Sequence, residues 1–389
     1  MRYTYNTKLL IIAFLACLFL LGVASDVCVL NYYHKGEPLN EEWQPELGRQ
    51  NETDYASVFF GRDFFINLNG GMRRLLGQRE MNGVLRLDND HLTQIKSEPV
   101  DDAVLKKEAA NVSVLYRHLQ GRGIPFLFVL PPDKVVSDDP TADQIPAGYT
   151  DYSNRDIDVF MQALYDAGTP ALDLRQEMAK DGMDRYEYFY KTDHHWTSQA
   201  GFYAYTKIAD WLKENTDVPT DERIAEESSY DKTEYKNSLL GTWGQRTGSV
   251  FAGSDDLTVY TPKFDTDVEN RTFSKRGSFA DVVYNLDFIE ERKPEFIYDA
   301  VFDSTDQFTN YSSKNETSVL VICDSFGRVV NPYLILGNRY FWYKSIYHSN
   351  EINGTLIDSV QPDVVIMLFS PWYNLGKEES FSFDLPGVG

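Results

Sequence analysis

Ser318-Val-Leu-Val-Ile-Cys-Asp-Ser-Phe-Gly327 is a short apolar run broken by a polar pair and a glycine. An apolar stretch such as Ser318 to Cys323, bounded by turn formers, predicts a strand buried on both faces, as parallel sheets require. The chain then turns at Asp324-Ser325-Phe326-Gly327, and Arg328 onward is expected to start a helix that Pro332 limits. Ligands of open α/β sheets bind beyond the carboxyl ends of the strands. Ser325 falls at such a place, where its hydroxyl is exposed and neighbouring N–H groups can face a developing oxyanion. The same residues equally suit a plain helix cap, with Asp324 or Ser325 accepting from the first free amides.

The pattern recurs along the chain. Ile124 to Leu130, ending at Pro131-Pro132, reads as a buried strand, as do Ala171 to Leu174, Tyr340 to Ile346 and Val364 to Phe369. Apolar residues at helical spacing mark Asp101 to Gln120, Asp156 to Ala167 and Ser198 to Asn215. Such alternation predicts an α/β domain with a mainly parallel sheet flanked by helices on both faces. Residues 241–288, rich in Gly, Ser, Thr and Asp, read as a small β-rich insertion that roofs or flanks the site.

The chain has 389 residues, 42% of them hydrophobic, enough for a substantial core. Acidic residues outnumber basic ones, 59 to 37, so a negative field repels phosphate backbones and nucleic acid is not an expected partner. The 25 Tyr, 24 Phe and 6 Trp suit sugar stacking, but more commonly they build a core. Leu9 to Ala24 is almost unbroken apolar sequence behind Arg2 and Lys8, so residues 1–30 read as a signal peptide or a membrane anchor, with the anchor preferred. Polar residues 31–55 follow as a stalk, and 56–389 as the folded domain, which either outcome places outside the cytoplasm. Three cysteines, Cys17, Cys28 and Cys323, make no disulfide framework.

The second polar cluster is Asp193-His194-His195-Trp196-Thr197, just ahead of the helix expected from Ser198, on a loop expected to be exposed. A serine hydroxyl is a weak nucleophile until a base takes its proton and a third group holds that base. Ser325 as nucleophile, His195 as base and Asp193 as its orienting carboxylate form such a set, with His194 as a structural, hydrogen-bonded histidine. Paired histidines also invite a metal, but the other histidines, His34, His91, His118 and His348, lie at no recognisable ligand spacing, and HExxH and CxxC are both absent. No metal and no cofactor are expected.

Tyr190-Lys-Thr-Asp193-His-His195-Trp-Thr197 resembles the signature of the DHHW family, grouped with the alginate O-acetyltransferase-like, permuted SGNH-hydrolase-like proteins. Asp324-Ser325-Phe-Gly327 resembles that group's serine block. Phe60-Gly61-Arg62-Asp63 with Asn82-Gly-Val84-Leu resembles its amino-terminal segment, and Val129-Leu-Pro131-Pro132-Asp-Lys134 its first strand and loop. The resemblance spans about residues 56 to 375. Cys323 departs from the glycine of the usual Gly-Asp-Ser block, and the separate Gly and Asn blocks that supply oxyanion donors are not recognisable, leaving Arg328, Gly241 and Asn331 as the residues to inspect. The resemblance implies an SGNH-hydrolase-like fold, Ser325, His195 and Asp193 in the catalytic roles, and Lys134, Tyr190, Trp196 and Arg328 around the substrate. It implies an exported O-acetyltransferase acting on a cell-envelope or secreted polysaccharide, with a membrane-bound protein delivering acetyl groups. A carbohydrate acetylesterase using the same three residues, and a non-catalytic component of a polysaccharide export machine, are the rival readings.

Overall fold

In a computed structural model the described residues are 15–17, 19–20 and 23 and, from 61 onward, all except 136–144, 292–297, 303 and 388–389. The expected stalk and nearly all of the expected anchor lie outside them. Among the described residues no helix is long and apolar enough to cross a membrane. The chain divides into two units, Met1–Leu76 and Gly77–Gly389. The first contributes helix α1 (Arg62–Leu75), entered through Gly61 at a left-handed φ of 78°.

The second unit opens with a small antiparallel sheet of β1 (Glu80–Met81), β2 (Val84–Arg86) and β3 (Leu92–Thr93). Helix α2 (Asp102–Gln120) leads to β4 (Phe126–Leu130), and α3 (Ser153–Asp166) to β5 (Ala171–Asp173). Helix α4 (Ser198–Asn215) precedes an antiparallel ribbon of β6 (Tyr230–Leu239) and β7 (Asp255–Pro262). Short strands β8 (Val268–Asn270), β9 (Lys275–Gly277) and β10 (Phe308–Asn310) follow. The closing elements are β11 (Ser318–Cys323), α5 (Asn331–Gly337), β12 (Tyr340–Ser345), α6 (Gly354–Val360) and β13 (Val364–Leu368).

The main sheet runs β5-β4-β13-β11-β12 in parallel and continues antiparallel through β10, β8 and β9. Within the stretch 241–288, therefore, β7 completes a ribbon begun at Tyr230, while β8 and β9 extend the main sheet.

The central strands read as unbroken apolar runs because both of their faces are covered. Val319, Val321 and Cys323 pack with Phe202, Tyr205 and Ile208 of α4, whereas Leu320 and Ile322 pack with residues of α2 and α3. Each fully buried aliphatic side chain of this kind contributes about 1.5–3 kcal/mol. Helix α2 starts where Asp101 accepts a hydrogen bond from the Ala103 amide, and α4 where Thr197 accepts from the Ala200 amide.

Register aligns the strand ends. Cys323 pairs with Leu368 of β13 and Ser345 of β12, and Leu368 pairs with Val129 of β4. The loops carrying Lys134, Ser325 and Ser370 therefore leave the sheet along one edge. One sequence expectation is corrected here. The turn after β11 is a 3-10 segment, Ser325–Val329, and Pro332 sits in the first turn of α5 rather than closing a helix begun at Arg328. A proline at the start of a helix costs no hydrogen bond, because amides there have no intrahelical partner.

Candidate active site

Ser325 is the first residue of the 3-10 turn that follows β11, and Asp324 shapes that turn. The Asp324 carboxylate accepts from the Phe326 amide at 2.9 Å, and its other oxygen accepts from the Ser370 amide at 2.8 Å and from Asn374 Nδ2 at 2.9 Å. Asp324 thus caps the turn and also ties the end of β11 to the loop after β13. Burial pushes its carboxyl up to about 6, against the hydrogen bonds from Ser370, Phe326 and Asn374.

Cys323 fits where a glycine was expected because its sulfur faces Gly327. A Cβ on residue 327 would lie 2.2 Å from Sγ. The thiol is fully buried, and burial raises it to about 12.

His195 arrives on a narrow hairpin. Phe189 and Trp196 bridge across it, the Tyr190 amide donates to the His195 carbonyl, and the Thr197 amide donates to the Tyr188 carbonyl. Two glycines let this hairpin approach its neighbours. A Cβ at Gly201, in the first turn of α4, would stand 2.2 Å from the Val329 carbonyl oxygen, and one at Gly241 would stand 2.2 Å from Asp193 Cβ. Helix α4 therefore lies backbone to backbone against the 3-10 turn, which carries the residues just before it to Ser325.

The result is a continuous hydrogen-bonded series. Asp193 Oδ2 lies 3.2 Å from His195 Nδ1, and His195 Nε2 lies 2.7 Å from Ser325 Oγ. An ionised carboxylate only accepts, so the imidazole proton belongs on Nδ1 and Nε2 accepts from the serine hydroxyl. His194 donates its amide (2.7 Å) to Asp193 Oδ1, and its Nδ1 lies 2.9 Å from the same oxygen. Burial by itself would raise the Asp193 carboxyl. The attraction of the carboxylate for His195 and His194 in their protonated forms, and hydrogen bonds from both, outweigh burial and hold it well below the usual carboxylate range.

Among the described residues, Asp193, His194 and His195 form the one group with ligand atoms near enough to share a metal ion, all within 4.8 Å. Those short separations are the hydrogen bonds just given.

His195 is only 2% exposed, which corrects the expectation of an exposed loop. Its ring stacks on Tyr298, 4.0 Å between centroids and 17° between planes, while the Tyr298 hydroxyl donates to the Ser325 carbonyl at 3.2 Å. Tyr298 thus touches both partners of the Ser325–His195 bond. Nothing in the sequence marks it, since it is one of 25 tyrosines and lies in no motif.

Of the four residues expected around a substrate, each occupies a different setting. Trp196 is fully buried and its indole donates to the Phe326 carbonyl at 2.9 Å, joining the histidine hairpin to the serine turn. Arg328 donates to the Phe302 carbonyl at 3.0 Å. Tyr190 is buried, its ring in a T-shaped contact with that of Tyr298. Lys134 is also buried and donates to main-chain carbonyls of the histidine hairpin. Of the residues marked for inspection as oxyanion donors, Gly241 gives its amide to Thr192 Oγ1, and Asn331 gives its side-chain amide to the Ser304 carbonyl.

Two openings border this region. A cleft beside His194, Phe326, Trp243 and Ser370 encloses only about 10 Å³, room for one water. A wider groove of about 400 Å³ is lined by Tyr190, Thr197, Lys232, Glu234, Asp256 and Tyr260.

Residues 90–278 match the family model described as the SGNH hydrolase-like domain of acetyltransferase AlgX. No curated protein sequence is a significant match. Among solved structures, Bacillus cereus PatB1 aligns with a TM-score of 0.64 at 19% identity, covering 77% of this chain and 99% of that one. The same protein solved with a sulfonyl adduct aligns at 0.63 and 19% identity, over 79% and 99%. A DHHW family protein from Eubacterium siraeum aligns at 0.56 and 15% identity, over 78% and 95%. At such identities these likenesses show the fold alone, an α/β domain with a mainly parallel sheet and flanking helices, and the family model describes it as SGNH hydrolase-like.

Proposed function

We propose that this chain, residues 90–278 of which match the SGNH hydrolase-like domain of acetyltransferase AlgX, is an exported serine-dependent O-acetyltransferase acting on a cell-envelope or secreted polysaccharide. The observation that carries the reading is the series Asp193 to His195 to Ser325, at 3.2 and 2.7 Å, at the carboxyl edge of the parallel strands. Ser325 Oγ attacks the carbonyl carbon of an acetyl ester while His195 Nε2 takes the hydroxyl proton. Asp193 steadies the imidazolium so formed. As the tetrahedral intermediate collapses, the donor oxygen leaves with the proton from His195, and the acetyl group remains on Ser325.

A sugar hydroxyl then gives its proton to His195 and attacks the acyl carbon, and Ser325 recovers its proton as it departs. Water in place of the sugar would make the same chemistry an esterase. The groove lined by Gln199, Lys232, Glu234, Asp256 and Thr258 presents donors and acceptors for sugar hydroxyls, which supports a glycan acceptor. A membrane-bound protein delivering acetyl groups, and the amino-terminal apolar run holding the domain at the membrane, complete the proposal.

The test is acetyl transfer from an aryl acetate to added oligosaccharides, followed by mass spectrometry. The parent chain acetylates an oligosaccharide and takes up one sulfonyl group from a sulfonyl fluoride, a probe suggested by the sulfonyl adduct of PatB1. Ser325→Ala loses both activities, and Asp193→Asn lowers kcat roughly 10⁴-fold. Acetate release with no acetylated sugar would identify an esterase. An unimpaired Ser325→Ala would remove the acyl-serine mechanism.

A further inference from the structure

The peptide segment Tyr190–Asp193 lies between two buried opposite charges. On its carbonyl side the Lys134 ammonium donates to Tyr190 O at 2.6 Å, Asp193 O at 2.7 Å and Lys191 O at 3.3 Å, and also to Leu92 O of β3 at 2.8 Å. On its amide side the Asp255 carboxylate accepts from Lys191 N and Thr192 N, both at 2.8 Å, and from Thr192 Oγ1 at 2.6 Å. Lys134 is 2% exposed and Asp255 8%. The Lys134 ammonium also lies 4.9 Å from the centre of the Trp243 ring.

Desolvating a lysine and an aspartate is expensive unless each is well solvated by the protein. Here the solvating groups are almost all main chain, and all but the Leu92 carbonyl belong to the four residues that end in Asp193. We infer that Lys134 and Asp255 are positioning residues that act as one device, fixing the Tyr190–Asp193 segment so that the Asp193 carboxylate meets His195 Nδ1. This deepens, and depends on, the acyl-serine mechanism proposed above. It gives Lys134 a role through Asp193 rather than through contact with substrate. Its placement also accounts for a lysine four residues beyond the end of β4: the β4 loop leaves the sheet on the same edge as Ser325, and from there a long side chain reaches beneath the histidine hairpin.

Losing either the Lys134 nitrogen or an Asp255 carboxylate oxygen leaves buried carbonyls or amides without partners and frees the segment to shift. A displacement of 1 Å at a catalytic group costs about 10²-fold in rate. The experiment measures kcat, KM for an aryl acetate and for a neutral oligosaccharide, and the rate of sulfonyl labelling of Ser325, in the full chain carrying Lys134→Met, Asp255→Asn or both. The expected result is a kcat and a labelling rate lower by about 10²-fold, KM values within about twofold of the parent, and a double variant no worse than the poorer single variant.

Parental kcat in a folded Lys134→Met overturns the inference. So does a loss carried by KM, which would make Lys134 a substrate contact, and so do losses that multiply in the double variant. If Lys134→Met has no cooperative melt, Asp255→Asn decides by the same criteria. Ser325→Ala is assayed alongside: a dead Ser325→Ala with a parental Lys134→Met sinks this inference alone, whereas an active Ser325→Ala sinks the mechanism beneath it.

Discussion

Lys134 shows at the residue scale how burial changes what a side chain does. Beside Pro131-Pro132-Asp133 it reads from sequence as a lysine waiting for a substrate, because nothing local reveals that its ammonium is enclosed by carbonyls. Burial pushes it down to about 7, against the pull of Asp255, Asp193 and Asp133. Between about 7 and the 10.5 of an unfolded chain, the unfolded state keeps a proton that the folded state has released. Stability therefore rises with pH across that window, and the cost of burying the ammonium is complete below it. Denaturant melts at about pH 7.5 and about pH 9.5 should show the parent gaining stability relative to Lys134→Met, which lacks the titrating group. A difference between the two chains that is the same at both pH values would contradict this. His195 is a related case. Its motif was legible, yet its 2% exposure and its stacking on Tyr298 come from residues far away in sequence.

Elements were the most legible level, because periodicity and turn chemistry are local. Ser318–Cys323 and Ser198–Asn215 form with the expected bounds, and the helix expected over Asp101 to Gln120 runs from Asp102 to Gln120 with Asp101 as its cap. Pro332 was misread because a proline marks a helix start or a helix stop according to which side the helix lies, and residues 324–337 permit both. What α4 contributes to the site is its closeness to the 3-10 turn, and that depends on Gly201. Gly201→Ala would force Cβ against the Val329 carbonyl, where backbone rather than a flexible side chain must move. The expected cost is about 1–3 kcal/mol by denaturant melt, with slower sulfonyl labelling of Ser325 as the helix is pushed from the turn. An unchanged melt together with unchanged labelling would show that the contact does not set the spacing.

For the whole molecule, a formal charge of −22 surrounds the site with a repulsive field for anionic polymers. Raising ionic strength from about 0.01 M to about 0.15 M shortens the screening length from about 30 Å to about 8 Å. The rate constant kcat/KM for an anionic oligosaccharide acceptor should then rise several-fold while that for a neutral one stays level; equal responses would mean that local charges govern access instead. Composition, strand and helix pattern, and the residue types of the Asp-His-His-Trp and Asp-Ser motifs were determined by sequence alone, since each depends on neighbours a few residues apart. The parallel strand order, the aligned strand ends and the meeting of His195 with Ser325 at 2.7 Å were decided only in the tertiary structure. So were the Lys134 and Asp255 supports and the Tyr298 stack. The physical reason is that close packing fixes these distances. It brings together the loop after β4, the histidine hairpin, the start of β7 and the turn after β11, segments whose separation along the chain carries no information about their separation in space.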